Sequence, residues 1–278
     1  MIQVMTPESI SDLVAARAAE IINTRRQFHV IPELGFEETD TAAAIADRLK
    51  AAGLEVETGI GKTGLVGVLK GAKSGRTLMI RADIDGLPVT ELTGLDFAST
   101  NGRMHACGHD GHITMAITAA EILSGIKDQL AGTVIFVFQP AEEVVMGALA
   151  MIDDGLFEKY PADRVIGTHL WNQIPTGVIG VNRSTVFASA DQFRLTVHGK
   201  GGHGAMPHMA IDPVAAIAEI ITTSQTVVSR EVPPNEMGVL TFGQIHGGSA
   251  PNVIADSVAV EGTVRAYTSD IRVQIMQS

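Results

Sequence analysis

The run Thr133–Phe138, TVIFVF, constrains this chain more than any other stretch. Its six residues are all β-branched or aromatic, with no polar alternation. They read as a short strand covered on both faces. Such a strand needs helices above and below its sheet, and the flanking sequence offers them. Thr6-Pro7-Glu8 supplies an N-cap, a first-turn proline and a first-turn acid, and apolar spacing then carries a helix to about His29. Pro32 and Gly35 end that region. A second helix fits Thr39–Lys50, stopped by Gly53; others fit Gly111–Leu123 and Gly147–Asp153. Strand-like runs at Leu54–Glu57, Leu65–Leu69, Thr77–Arg81 and Arg164–Thr168 lie between them. The expected fold class is α/β, with a largely parallel mixed sheet covered on both sides.

Near residue 185 the pattern changes. Asp191–His198 alternates apolar and polar, a helix spans about Pro213–Val228, and alternating runs follow at Gly238–Ile245 and Ser257–Tyr267. This β-α-β-β order predicts a smaller α+β, ferredoxin-like domain of the split βαβ type. The expected domains are therefore 1–185 and 186–278. The helical pattern at Ile271–Ser278 has barely begun, so the second domain reads as incomplete.

Composition excludes several classes. The net charge of −11, with no Lys/Arg cluster, argues against nucleic acid and anionic membranes as partners. No apolar stretch of roughly 18 residues exists to span a bilayer. Glu8, Asp12 and Arg17 precede any long apolar run, so the start does not read as a signal peptide. The single cysteine, Cys107, forms no internal disulfide. These features together read as cytoplasmic.

Cys107 sits in Met104–His112, MHACGHDGH, with three of the nine histidines. Sites in open α/β sheets form at the carboxyl ends of strands, and four segments bring ligand-type side chains there. Asp83 and Asp85 follow the Thr77–Arg81 strand. Glu142 and Glu143 follow TVIFVF. His169 follows Arg164–Thr168. Cys107, His109 and His112 lie just before a helix. Each has a plain alternative as a turn, a cap or a small hydrophobe; their joint placement favours a metal site. Thiolate, imidazole and carboxylate suit zinc or another first-row divalent ion. Of two adjacent glutamates, one can ligate while the other serves as general base. In the second domain, Gly199–His208 (GKGGHGAMPH) reads either as a flexible loop or as a loop presenting His203 to a ligand, joined by Asn252 and Arg265. Arg265 is suited to a substrate carboxylate.

Seven motifs in order carry a resemblance: HVIPELGFEE (His29–Glu38), RADIDGLP (Arg81–Pro88), MHACGHDGH, FQPAEE (Phe138–Glu143), GTHLW (Gly167–Trp171), GGHGAMPH (Gly201–His208) and PNVI (Pro251–Ile254). The chain resembles the metal-dependent amidohydrolases that include hippurate hydrolase, N-acetyl-diaminopimelate deacetylase and the auxin-conjugate hydrolases, within the larger family of aminoacylases and di-zinc carboxypeptidases. The resemblance implies two divalent metals per subunit (Zn, Mn, Co or Ni) bridged by Cys107, with His109, Glu143 and His169 as further ligands. It implies Glu142 as general base and Asp83 as a carboxylate orienting the site. It implies His203 as oxyanion stabiliser from the partner of a homodimer formed through the lid domain, with Asn252 and Arg265 as contacts to a small N-acyl amino acid. It also implies a last histidine ligand in a C-terminal segment beyond residue 278, which leaves one metal or none here. The alternatives are therefore a catalytically impaired homologue that keeps the fold and part of the metal site, and a peptidase or carboxypeptidase of the same family. One local departure is Val144-Val145-Met146 after Glu143, where the subgroup often has a glycine-rich loop.

Overall fold

The structure, a computed structural model, describes residues 7–278, with side chains from Ser9 onward. The Thr6 cap lies outside the described residues. The chain divides into two compact units, the first ending at Pro175 and the second Thr176–Ser278. This division falls ahead of residue 185, where the sequence pattern changes.

The first unit contains α1 (Pro7–Ala16), α2 (Ala18–His29), α3 (Thr39–Ala51), β1 (Glu55–Ile60), β2 (Gly64–Lys70), β3 (Lys73–Asp83), α4 (His109–Gly125), β4 (Ala131–Gln139), α5 (Gly147–Asp153), α6 (Leu156–Lys159) and β5 (Arg164–Gly167). The single N-terminal helix expected to His29 is two. At Arg17 the backbone leaves helical geometry (φ −105°, ψ 7°), and its N–H reaches back only to the Val14 carbonyl at 3.0 Å. Strand order is β1-β2-β4-β3-β5. The sheet is mixed: β3 runs parallel to β4 and β5, while β1–β2 and β2–β4 are antiparallel.

TVIFVF forms the centre of β4, and its period-two alternation explains the two cores. Phe136 and Phe138 point to one face, into a cluster with Phe28, Ile45, Leu49, Leu65, Ile113 and Ile117 from the helices and β2. Ile135 and Val137 point to the other, against Met79, Val66, Met151 and Leu156. Burial on both faces keeps the centre of β4 apolar, and the ligand-type side chains sit at the strand ends. The three parallel strands finish together. Asp83 pairs with Gln139 across β3–β4, and Arg81 with Gly167 across β3–β5. The segments leaving those ends carry Asp85, Glu142, Glu143 and His169.

The second unit contains β6 (Asp191–His198), β7 (Gly202–His203), α7 (Pro213–Thr226), β8 (Gly238–Gly247), β9 (Val253–Ile254), β10 (Ser257–Ala266) and α8 (Ser269–Gln277). Its main sheet is antiparallel in the order β6-β10-β8. Alternate residues of β10 face the helices. Val258 and Val260 pack with Ile217 of α7, and Val264 and Ala266 with Ile271 and Ile275 of α8. Among the described residues no helix is long and apolar enough to cross a membrane.

Candidate metal centre

The MHACGHDGH stretch turns into α4 through Gly108, whose φ of +89° is a left-handed value that glycine adopts without strain. The helix begins at His109, earlier than expected, so His109 and His112 lie in its first turn. Both are buried. A Cβ on Gly111 would stand 2.4 Å from Leu170 Cδ1, so the glycine lets the segment bearing His169 approach α4 closely.

Hydrogen bonding fixes how each imidazole is presented. His109 Nδ1 lies 2.9 Å from the main-chain oxygen of Asp85 and 3.2 Å from its Oδ1. A carbonyl only accepts, so Nδ1 carries a proton and Nε2 is the nitrogen offered to the centre. His169 Nδ1 likewise donates to the Leu170 carbonyl at 2.6 Å, which leaves its Nε2 facing Cys107 Sγ at 3.5 Å. His112 is committed on both sides: Nδ1 meets Asp83 Oδ1 at 2.5 Å, and Nε2 accepts from the Leu170 N–H at 2.8 Å. His112 therefore anchors the strand end that presents His169. His105 donates through Nδ1 to the Asp85 carbonyl at 3.1 Å.

Of the two aspartates, Asp85 rather than Asp83 orients His109. Its Oδ2 also accepts from the Glu143 N–H at 2.9 Å, so one buried carboxylate fixes two candidate ligand segments. Asp83 holds His112 and the Arg81 guanidinium, at 2.6 Å, and stands 3.6 Å from His109 Nε2. Burial alone would raise the Asp83 pKa, but the His112 bond and the charges of His109 and Arg81 hold it well below the usual carboxylate range.

His109 Nε2 is buried and makes no hydrogen bond, yet it faces three carboxylates: Asp83 Oδ2 at 3.6 Å, Glu142 Oε2 at 3.8 Å and Glu143 Oε1 at 3.9 Å. Glu143 Oε1 is also buried without a hydrogen bond. Two ligands of one tetrahedral zinc stand roughly 3.4 Å apart for nitrogen and oxygen and roughly 3.5 Å for nitrogen and sulfur. The 3.5 Å Cys107–His169 contact matches that spacing, and the His109–carboxylate distances lie slightly beyond it. Cys107, His109 and His169 converge within 4.8 Å, as do His109, Glu142 and Glu143, and Asp83, His109 and His112. The residues around His109 thus fit a divalent cation. Burial alone would lower the pKa of the metal-free His109, but Asp85, Cys107 and Asp83 push it up to about 11.

In the second unit, GGHGAMPH and PNVI come together. β7 pairs with β9, setting His203 opposite Val253, and the Gly204 N–H donates to the Asn252 carbonyl at 2.8 Å. His203 is exposed, and its Nδ1 accepts from the Ala205 N–H at 3.1 Å. Arg265 lies on β10, half-buried and opposite Val239, and donates to the Val264 carbonyl.

A mixed sheet that gathers a thiol, imidazoles and paired glutamates at its carboxyl rim is the frame of a metallohydrolase. Residues 79–273 match the model of peptidase family M20/M25/M40, and the chain belongs to that family. It is 42% identical to the N-acetyl-L-cysteine deacetylase of Bacillus subtilis over 93% of this chain and 62% of that one. It is also 42% identical to the N-acyl-L-amino acid amidohydrolase of Geobacillus stearothermophilus, over 98% of this chain and 74% of that one. The crystal structure of a dinuclear metal-binding M20-family peptidase from Bacillus subtilis superposes with a TM-score of 0.79 at 35% identity, covering 95% of this chain and 68% of that one. The chain spans about two thirds of the length of the relatives it matches.

Proposed function

We propose that this chain hydrolyses the amide bond of small N-acyl amino acids of the hippurate or N-acetyl-amino-acid kind, assisted by divalent metal. The observation that carries the reading is the buried, unbonded Nε2 of His109. It faces Glu142 and Glu143 at 3.8 and 3.9 Å and groups with Cys107 and His169. The substrate class is supported by the deacetylase and amidohydrolase relatives.

In this reading Cys107, His109, Glu143 and His169 would hold divalent metal. Zinc, manganese, cobalt and nickel all suit these donors. When bound, the cations supply Lewis acidity that polarises the acyl carbonyl and acidifies the attacking water. Glu142 is the more exposed of the two glutamates, with its side chain 40% accessible against 20% for Glu143, which suits a group that meets substrate. Glu142 takes a proton from the water as the C–O bond forms. It returns that proton to the amine as the C–N bond breaks, so the carboxylate is regenerated. Asp85 fixes the His109 tautomer, and Asp83 fixes His112. His203 would serve the partner subunit of a homodimer, donating to the carbonyl oxygen there as charge develops on it. Asn252 and Arg265 contact substrate, Arg265 through its free carboxylate. A homodimer and a cytoplasmic location complete the reading.

The test is Glu142→Gln, with metal content measured beside turnover of hippurate, N-acetyl amino acids and a dipeptide panel. Turnover should vanish while metal is retained. Loss of metal instead would exchange the roles of Glu142 and Glu143. A metal-loaded wild-type chain that cleaves only the dipeptides would replace the amidohydrolase reading with a peptidase.

A further inference from the structure

Glu38 is completely buried, and nothing in the chemistry above uses it. It occupies the N-cap position of α3, yet its side chain makes no capping bond. Glu33 serves that helix end instead, accepting from the backbone N–H groups of Thr39, Asp40 and Thr41 at 3.1, 3.2 and 2.8 Å. Glu38 instead sends its carboxylate to Thr63 and to the residue before Glu142. Oε1 accepts from the Ala141 N–H at 2.7 Å, and Oε2 accepts from Thr63 Oγ1 at 2.5 Å.

Ala141 immediately precedes Glu142, and its φ is +49°. That left-handed conformation disfavours a residue with a Cβ and persists only where its surroundings enforce it. Three restraints enforce it here. The Glu38 carboxylate takes its N–H. The Ala141 carbonyl accepts from the N–H groups of Met146 and Gly147 at 3.3 and 3.1 Å, closing the loop behind it. Gly35 lies against it, where an added Cβ would stand 3.0 Å from Ala141 Cα. On the other side of Glu142, the Glu143 N–H is held by Asp85. The amides before and after Glu142 are thus each bonded to a buried carboxylate, while the Glu142 side chain is partly exposed between them.

We propose that Glu38 is a positioning residue: its buried carboxylate holds Ala141 in the left-handed conformation and so sets the direction from which Glu142 addresses the reacting water. The inference rests on Glu142 as general base. Burial pushes the Glu38 carboxyl above its ordinary value, against the bonds from Thr63 and Ala141.

Four variants test this: Glu38→Gln, Glu38→Met, Ala141→Gly and the Glu38→Met/Ala141→Gly double variant. Glutamine retains both contacts, its carbonyl accepting from Ala141 and its amide donating to Thr63 Oγ1. Methionine keeps the volume and loses both. The first readout is hydrogen–deuterium exchange of residues 140–147 in the metal-free full chain. Glu38→Met should exchange faster there by about tenfold or more, with residues 107–112 unchanged, and Glu38→Gln should match the parent. The second readout is kinetic. Glu38→Met should lose up to about 100-fold in kcat, the scale of a misplaced catalytic group, with KM and metal content held. Ala141→Gly should recover part of that loss in the double variant, because glycine adopts positive φ freely.

Unchanged exchange at 140–147 in Glu38→Met overturns the proposal, as does a Glu38→Gln variant as damaged as Glu38→Met. Should Glu38→Met fail to fold, Glu38→Asp replaces it. The shorter side chain cannot reach Ala141 and Thr63 together, and parent-like exchange and kcat in that variant overturn the proposal equally. An active Glu142→Gln would remove the base assignment but leave the exchange result standing, so the two failures are distinguishable.

Discussion

The two histidine-bearing stretches, MHACGHDGH in the first unit and GGHGAMPH in the second, both carry glycines and differ in how their imidazoles are held. His105, His109 and His112 are buried, and each has its Nδ1 anchored on Asp83 or Asp85. His203 and His208 are exposed, and the segment around His203 is secured by a two-residue ladder and a main-chain bond to Asn252. A metal ligand must show one nitrogen, unprotonated, at a fixed point, and that requires carboxylates and carbonyls behind the ring. A group that meets substrate needs only to arrive at the right place.

This contrast is broken most severely at His109. His109→Ala should abolish stoichiometric divalent metal binding, read by metal analysis after gel filtration; retention of full metal would remove His109 from the centre. His203→Ala should leave metal content untouched while lowering kcat by about 100- to 1,000-fold, the usual cost of one lost oxyanion donor. A change in metal affinity at His203 would erase the distinction between the two stretches.

The carboxylates behind the rings come next. Asp85→Ala removes the side-chain bond to His109 Nδ1 and the acceptor for the Glu143 N–H, though the Asp85 carbonyl remains. Metal affinity should fall about 10- to 100-fold, measured by competition with a chromophoric chelator. The same ring gives a pH dependence of definite sign. The metal-free His109 pKa, pushed up to about 11, means that metal must displace a proton at any ordinary pH. From this group alone affinity should therefore rise about tenfold per pH unit through neutrality. Calorimetric titration in buffers of different ionisation enthalpy should show proton release on metal binding, and a pH-independent affinity would contradict it.

What the sequence discloses divides along the same line. TVIFVF announced its two-sided burial because strand periodicity is local, and the strand-end rule placed Glu142, Glu143 and His169 on one rim with Cys107 and His109. The choice between Asp83 and Asp85 was not legible. The two stand two residues apart, so alternation sends them the same way, and only the turn after β3 decides which one reaches His109. Glu38 gave no signal of its own. Its partner, Ala141, is 103 positions away, and nothing in PELGFEE marks a carboxylate that leaves its own helix uncapped. The break at Arg17 lay equally outside helical periodicity, since the apolar spacing runs on through it. Local pattern reports which residues carry chemistry. The long-range polar bonds that aim them are written only in the packed structure.

The smallest effect tests whether the packing of α4 against the His169 segment matters. Gly111 lies in the first turn of α4, where replacement by alanine should favour the helix by about 1 kcal/mol. Against this, the new Cβ would meet Leu170 Cδ1 at 2.4 Å, too close to keep. Leu170 is 41% exposed, so shifting it costs little core packing, and thermal stability should change little. The Leu170 N–H is bonded to His112, and its carbonyl receives the His169 Nδ1 proton. Displacing Leu170 therefore turns the His169 ring away from Cys107. Gly111→Ala should lower metal affinity several-fold at nearly constant melting temperature. Unchanged metal affinity would show that Leu170 absorbs the methyl group through its side chain alone, and that His169 is held by more than its bond to the Leu170 carbonyl.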